Sequence, residues 1–230
     1  MHQVLKKFKS LWDQNQGAIV HATNIPYTGR SHFDGQNLME SGGKTPYQVK
    51  TGWLGRGMKT AGLNGKGLAL ALPMPLLIRG VPMNNNYFPV GDRLPSNDTL
   101  NLIDKVYKEH DEKLLGENLK IIMTRELRNT ASDNSWVLAS NAGQELSKTN
   151  GPRVAVFEVD GFDTHAAQGA TNGAHADCLN DYDKILKGLN QSMSKDAFDN
   201  TLIVTLTEFG RTIKQNSSNG LNMAMDLLFS

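Results

Sequence analysis

At 230 residues, 39% hydrophobic and 20% charged, the chain can bury the core of one α/β domain, and its composition excludes a disordered or collagen-like polymer. Lys and Arg total 24 against 23 Asp and Glu, a net charge of +1, which gives no electrostatic case for nucleic acid or an anionic membrane surface. Cys178 is the single cysteine and excludes an internal disulfide; no apolar run approaches the ~20 residues of a membrane span, and the first residues lack a signal peptide's apolar region.

Val4, Leu5, Phe8, Leu11 and Trp12 fall at helical spacing, Gly17 is the expected stop, and Ala18-Ile19-Val20 is the expected first strand. A strand so soon after a helix suggests a βαβ unit whose opening strand precedes residue 1. The polar run Asn24–Asp34 then leads into a helix through Met39. Within it Ser31 is either a helix N-cap or a site residue, because its neighbour His32 need not face it and direct Ser–His activation does not follow from adjacency. Taken alone, His32 is more often a hydrogen-bonded structural residue.

In Thr51–Met58 the apolar positions Trp53, Leu54 and Met58 are helical, and the interspersed glycines permit close packing. Leu68–Leu72, Leu76–Ile78 and the Asn- and Pro-bearing stretch through Pro95, which contains Asn84-Asn85-Asn86, read together as loops and short strands. From about residue 96 to 148 the spacing is that of a helical insertion, with Ser96 and Asp98 as cap candidates and Gly116 as a break. Arg153–Val159, apolar inside except for Glu158, suits a central parallel strand. Leu179, Tyr182, Ile185, Leu186 and Leu189 form the packed stripe of a later helix; Cys178 reads as a small residue on its face rather than a catalytic thiol. Thr201–Leu206 is expected to be a second buried strand.

Two strand exits concentrate the chemistry, and in open α/β sheets ligands gather at the carboxyl ends of parallel strands. Asp160, Asp163 and His165 follow the first of these strands. Carboxylate oxygens and imidazole nitrogens suit zinc, manganese or iron, and Asp-x-His on a loop lets both side chains converge on one ion. The competing account makes Asp163 a helix cap and leaves His165 solvated. Gln168 and His175 lie just beyond, His175 being a further ligand or a surface residue. Glu208 follows the second strand with Arg211 three positions on. Arg211 either keeps Glu208 anionic for a metal, holds a substrate oxyanion, or forms a plain ion pair.

Four stretches in order, Gly29-Arg30-Ser31-His32-Phe33-Asp34, Thr51-Gly52-Trp53-Leu54-Gly55-Arg56, Gly161-Phe162-Asp163-Thr164-His165-Ala166-Ala167-Gln168 and Thr207-Glu208-Phe209-Gly210-Arg211-Thr212, resemble the family called domain of unknown function 1501, a branch of the alkaline phosphatase and sulfatase superfamily. The resemblance implies a single alkaline phosphatase-like α/β domain, incomplete here, with a largely parallel central sheet flanked by helices. It also implies a metal-dependent phosphoesterase- or sulfatase-like hydrolase acting on a small phosphate or sulfate ester, and export, often by a twin-arginine signal. On that reading Asp163, His165 and Glu208 are ligands to a divalent ion such as zinc or manganese. Ser31 and His32 stand with Arg211 in the catalytic group, Ser31 as nucleophile and Arg211 as the anion clamp.

Two departures from the family pattern bear on activity. The family's first strand carries an acidic ligand, which would lie before residue 1. After Glu-Phe-Gly-Arg the family reaches a His-Gly segment where this chain has Asn219-Gly220-Leu221-Asn222-Met223-Ala224-Met225-Asp226. Because Met has one codon, reading those codons one base earlier yields obligatory glycines at two positions, and permissible codons complete Thr-Glu-His-Gly-Tyr-Gly. Residues 221–230 are therefore expected to be an out-of-frame tail and the polypeptide to have little hydrolase activity. The alternative is a non-catalytic exported binding or assembly protein on the same fold.

Overall fold

The computed structural model describes residues 1–21, 23–70, 73–87, 97–109 and 135–224. The chain divides into two compact units, one of residues 1–87 and 134–230 and the other of residues 88–133.

In the larger unit, β1 (Gly67–Leu70) lies between β2 (Asn85–Tyr87) and β3 (Val154–Val156), all parallel. All four β1 residues are buried, as expected of a strand covered on both faces. Alternation along it assigns the faces: Leu68 and Leu70 pack with Leu138, Ala139 and Ala142 of α5 (Ser135–Leu146) and with Ile185 and Leu189 of α6 (Ala174–Ser192), whereas Ala69 packs with Met58 of α3 (Trp53–Thr60), Ile78 and Val81. The result is a small mixed α/β layer structure, a parallel sheet of three strands flanked by helices. Helix α5 falls within the larger unit and is part of its core, although its sequence reads as the end of the helical insertion.

The glycines of the second motif do what their spacing suggests. A β-carbon on Gly52 would stand 1.9 Å from the Leu77 carbonyl oxygen and one on Gly55 2.3 Å from that of Arg79, so α3 lies directly on the Leu76–Ile78 segment. That segment is a 3-10 turn rather than a strand. Buried Glu40, on α2 (His32–Ser41), accepts from the Leu77 N–H at 2.8 Å and satisfies a donor the turn leaves free.

Helix α1 (Lys6–Asp13) packs on α6 through a contact not apparent in the apolar pattern. Its N-cap, Leu5, has no side-chain acceptor; instead the Asp183 carboxylate, buried on α6, accepts from the N–H groups of Lys7 and Phe8, both at 2.9 Å. The chain reverses at Asn15, with φ +58°, rather than at Gly17; Asn tolerates the left-handed conformation because its short side chain bonds locally.

Two expected strands are absent. Residues 18–20 carry no regular structure, with Ile19 and Val20 exposed, and neither does Thr201–Leu206, where Leu202, Val204 and Leu206 face solvent. Both are apolar runs of the right length, but a strand exists only when a neighbour completes its ladder, and β3 is paired only with β1 among the described residues. Ile203 alone of the second run leans on the core.

In the smaller unit α4 (Asn97–Glu109) is described. Ser96 and Gly116 lie outside the described residues, and Asp98 falls in the helix's first turn. Among the described residues no helix is long and apolar enough to cross a membrane. Two-residue strands β4 (Gly210–Arg211) and β5 (Met223–Ala224) pair antiparallel, so residues 221–224 of the expected out-of-frame tail pack back on the Glu-Phe-Gly-Arg stretch. Residues 225–230 lie outside the described residues.

Candidate functional site

The two stretches that carry the expected chemistry meet. Arg211 donates through Nη2 to Asp163 Oδ1 and to the Phe162 carbonyl at 3.1 Å, and through Nη1 to the Leu221 carbonyl at 3.2 Å. The other oxygen of Asp163 lies 3.5 Å from His32 Nε2, and His165 Nε2 is 2.7 Å from Asp163 Oδ1. On its far side, His32 Nδ1 lies 2.7 Å from Glu208 Oε1. Asp163 is thus the hub of a chain that runs from Arg211 and His165 through His32 to Glu208. The i, i+3 pair of Glu208 with Arg211, one reading of the sequence, is not made: Glu208 is served by His32, and Arg211 turns to Asp163.

Local structure explains each placement. Ser31 caps α2, its Oγ accepting from the Asp34 N–H at 3.3 Å, which puts His32 at the first helical position. Phe209 lies between Tyr27, stacked at a 6.2 Å centroid separation, and His32, edge-on at 5.2 Å. One turn along α2, Gly35 leaves room for this contact, since a β-carbon there would be 3.1 Å from Phe209 and 3.4 Å from Glu208 Cβ. Phe209 therefore clamps His32 over Glu208. Ser31, the expected nucleophile, uses its hydroxyl for the cap, and no hydrogen bond joins it to the cluster.

The His165 loop is held by the segment after β4. Ala166 bridges Asn219, the Leu221 N–H donates to the Thr164 carbonyl at 3.2 Å, and Asn216 Nδ2 donates to the His165 carbonyl at 2.9 Å. Gly220 presses on this backbone. Buried Thr164 donates to Gln168 Oε1 at 2.7 Å, which accounts for Gln168 as a loop brace. His175 packs edge-on against Phe162 at 6.2 Å with an unpartnered, buried Nδ1; desolvation holds its pKa below the usual imidazole range, with smaller contributions from His2 and Arg211. Cys178 donates to the Gly161 carbonyl at 3.2 Å, and burial pushes its thiol up, away from the reactive thiolate.

Glu158, read from sequence only as an interruption in a strand, belongs to the site's surroundings. Gln36 Nε2 bridges it to Glu40, at 2.7 and 3.2 Å. Partial desolvation raises its pKa first, followed by the like charges of Glu40, Asp160 and Glu208, while the Gln36 hydrogen bond lowers it. A carboxyl whose folded pKa is raised binds its proton more tightly in the folded chain, so stability falls as pH rises from the ordinary glutamate range through the raised value. Glu158→Gln keeps an acceptor for Gln36 and removes the charge. Urea denaturation across that pH range should find the variant gaining on the parent as pH rises; a constant difference would show that Glu158 feels no such field.

Among the described residues, no three His, Cys, Asp or Glu side chains are already arranged as a metal cage; the donors contact one another instead. Yet His32 Nε2 is buried and has no hydrogen-bond partner. If Nδ1 carries the proton given to Glu208, Nε2 turns a lone pair toward the Asp163 carboxylate. Two acceptors 3.5 Å apart invite a cation, and the two imidazoles with the Asp163 carboxylate are a donor set that suits zinc or manganese.

Comparisons with curated proteins and with solved structures found no match. The model of the family described as "Protein of unknown function (DUF1501)" matches residues 125–221, a stretch that carries Asp163, His165, Glu208 and Arg211 and supports kinship with that family.

Proposed function

We propose that His32, Asp163 and His165 hold a divalent cation, with Glu208 behind His32 as its outer carboxylate rather than the direct ligand the sequence suggested, in a hydrolase-type domain acting on phosphate or sulfate esters. The observation that carries this reading is the imidazole nitrogen of His32, buried, without a hydrogen-bond partner and 3.5 Å from a carboxylate that His165 and Arg211 also touch. A metal here would supply Lewis-acid polarisation of an ester oxygen. The chain's own residues would fix it: Glu208 sets the tautomer of His32, as an outer carboxylate does for ligating histidines, and Phe209 sets its ring plane. The expected zinc or manganese dependence, small-ester substrate and export belong to this proposal, as does low turnover. The last has a local cause, because the Ser31 hydroxyl is spent on a cap and the Arg211 guanidinium already has three protein acceptors. That saturation of Arg211 also favours the second reading, a binding protein that holds a cation without turning over an ester.

Calorimetric titration of the full chain with zinc and with manganese tests the centre. Binding should occur and weaken at least about tenfold in Asp163→Ala and in His32→Gln, with circular dichroism showing that both variants stay folded. Absence of binding, or equal binding in both variants, would sink the proposal. Generic aryl phosphate and sulfate esters then separate the readings: metal-dependent turnover lost in Asp163→Ala supports the hydrolase, and bound metal without turnover supports the binding protein.

A further inference from the structure

An asparagine followed by glycine can attack itself, because glycine has no β-carbon to crowd its own amide nitrogen. The chain has four such pairs, at Asn64, Asn150, Asn172 and Asn219, and all four asparagines are exposed. Exposure therefore does not separate them; the following N–H does. That of Gly65 donates to the Pro82 carbonyl at 3.1 Å, that of Gly151 to the Lys148 carbonyl at 3.0 Å, and that of Gly220 to Asn216 Oδ1 at 3.0 Å. Gly173 differs. It precedes the first residue of α6, with φ +113°, and among the described residues no hydrogen bond takes up its N–H or the Asn172 side-chain amide. A nitrogen already held as a donor must first lose that bond before it can act as a nucleophile. Only the Gly173 nitrogen starts free of one.

We infer that Asn172 is a self-modification site, the first asparagine of the folded chain to lose its amide. Base removes the Gly173 amide proton, and the nitrogen attacks Asn172 Cγ. The bond from Cγ to the side-chain nitrogen breaks, that nitrogen takes up a proton, and ammonia leaves a five-membered succinimide. Water then opens the ring at either carbonyl, giving aspartate or isoaspartate. One water enters, one ammonia departs, and no oxidant or enzyme is needed. The isoaspartyl product routes the main chain through Cβ and lengthens it by one atom. The turn has no slack for this: the Ala170 N–H donates to the Asn172 carbonyl at 3.0 Å, the His175 N–H to the Gln168 carbonyl at 3.1 Å, and a β-carbon on Gly169 would stand 2.1 Å from the Asn172 oxygen. Gln168 also accepts from Thr164, so isoaspartate at 172 loosens the brace of the His165 loop, whereas plain aspartate leaves the main chain as it was.

Ageing the full chain in mildly alkaline buffer, followed by peptide mapping with mass spectrometry that separates aspartyl from isoaspartyl products, tests this. Position 172 should convert at least about fivefold faster than 64, 150 or 219, the factor that one protecting hydrogen bond supplies. In strong urea the four rates should draw together, since the fold no longer distinguishes them. Asn172→Gln, whose longer side chain disfavours the ring, should abolish the reaction there. The purified isoaspartyl form should exchange the His175 amide hydrogen faster than Asn172→Asp does. Conversion at 64, 150 or 219 as fast as at 172 in the folded chain, or an unchanged order of rates in urea, would overturn the site assignment. Equal exchange at His175 in the isoaspartyl and aspartyl forms would overturn its effect on the loop.

Discussion

Gly220→Ala should unfold the corner that carries His165 and cost about 3 kcal/mol of stability, at the upper end of what overpacking does. The added β-carbon would stand 2.2 Å from the His165 carbonyl carbon, 2.3 Å from its oxygen and 2.4 Å from the Ala166 nitrogen. These are backbone atoms, which cannot swing aside as a flexible side-chain end can. Gly220 is itself pinned, its N–H donating to Asn216 Oδ1 at 3.0 Å and its carbonyl accepting from the Asn216 N–H at 2.9 Å. Relief must therefore come from separating the 164–166 loop from 219–221, which breaks the Ala166–Asn219 bridge and draws His165 off Asp163. Urea denaturation should report the loss, and the zinc titration should report weakened binding under conditions where the variant is still folded. A variant as stable as the parent would mean that the close approach of Gly220 to His165 is not present in solution.

Asp183→Ala should be of similar size, about 2–3 kcal/mol, or roughly 5–10 °C in melting temperature for a chain of this length. Two N–H groups at the start of α1 lose their acceptor at once, and the carboxylate's attraction for the positive end of the helix goes with it. Asp183 is only 8% exposed, so water cannot readily replace it. Asp183→Asn keeps one carbonyl oxygen and should lose about half as much. A thermal melt of the three proteins checks the order parent, Asn, Ala. Equal melting of parent and Ala variant would mean that α1 does not depend on α6 for its start.

Much of the layer structure was legible because it rests on local periodicity. The stripe Ile185, Leu186 and Leu189 is buried as its spacing requires, β1 overlaps the apolar run 68–72 at Leu68–Leu70, and Gly52 and Gly55 mark a close helix approach. The two apparent strands at 18–20 and 201–206 failed for a reason periodicity cannot see: their apolar residues match a strand, but a ladder needs a second edge that the run itself does not contain. Asp183 was invisible for a related reason. It lies within an apolar helical stripe, where a carboxylate looks like an exception, and only the arrival of a helix more than 170 residues away in sequence turns it into a cap.

The candidate site divides the same way. Residue types and their position after predicted strands were enough to single out Asp163, His165, Glu208 and Arg211, since metal-competent donors at such exits are chemically distinctive whatever the details of the fold. Pairing was not available from sequence, because side chains three apart on a loop need not face each other. Tertiary structure decided that Arg211 binds Asp163, that His32 stands between the two carboxylates with a bare nitrogen, and that Ser31 is used as a cap. Local sequence determined which groups could do chemistry, through their donor atoms and their helix or strand period. Which of them touch was decided by the packing of α2, Phe209 and the 216–221 turn, since contacts between residues 32, 163 and 208 depend on how separate elements dock and not on any one element's own pattern.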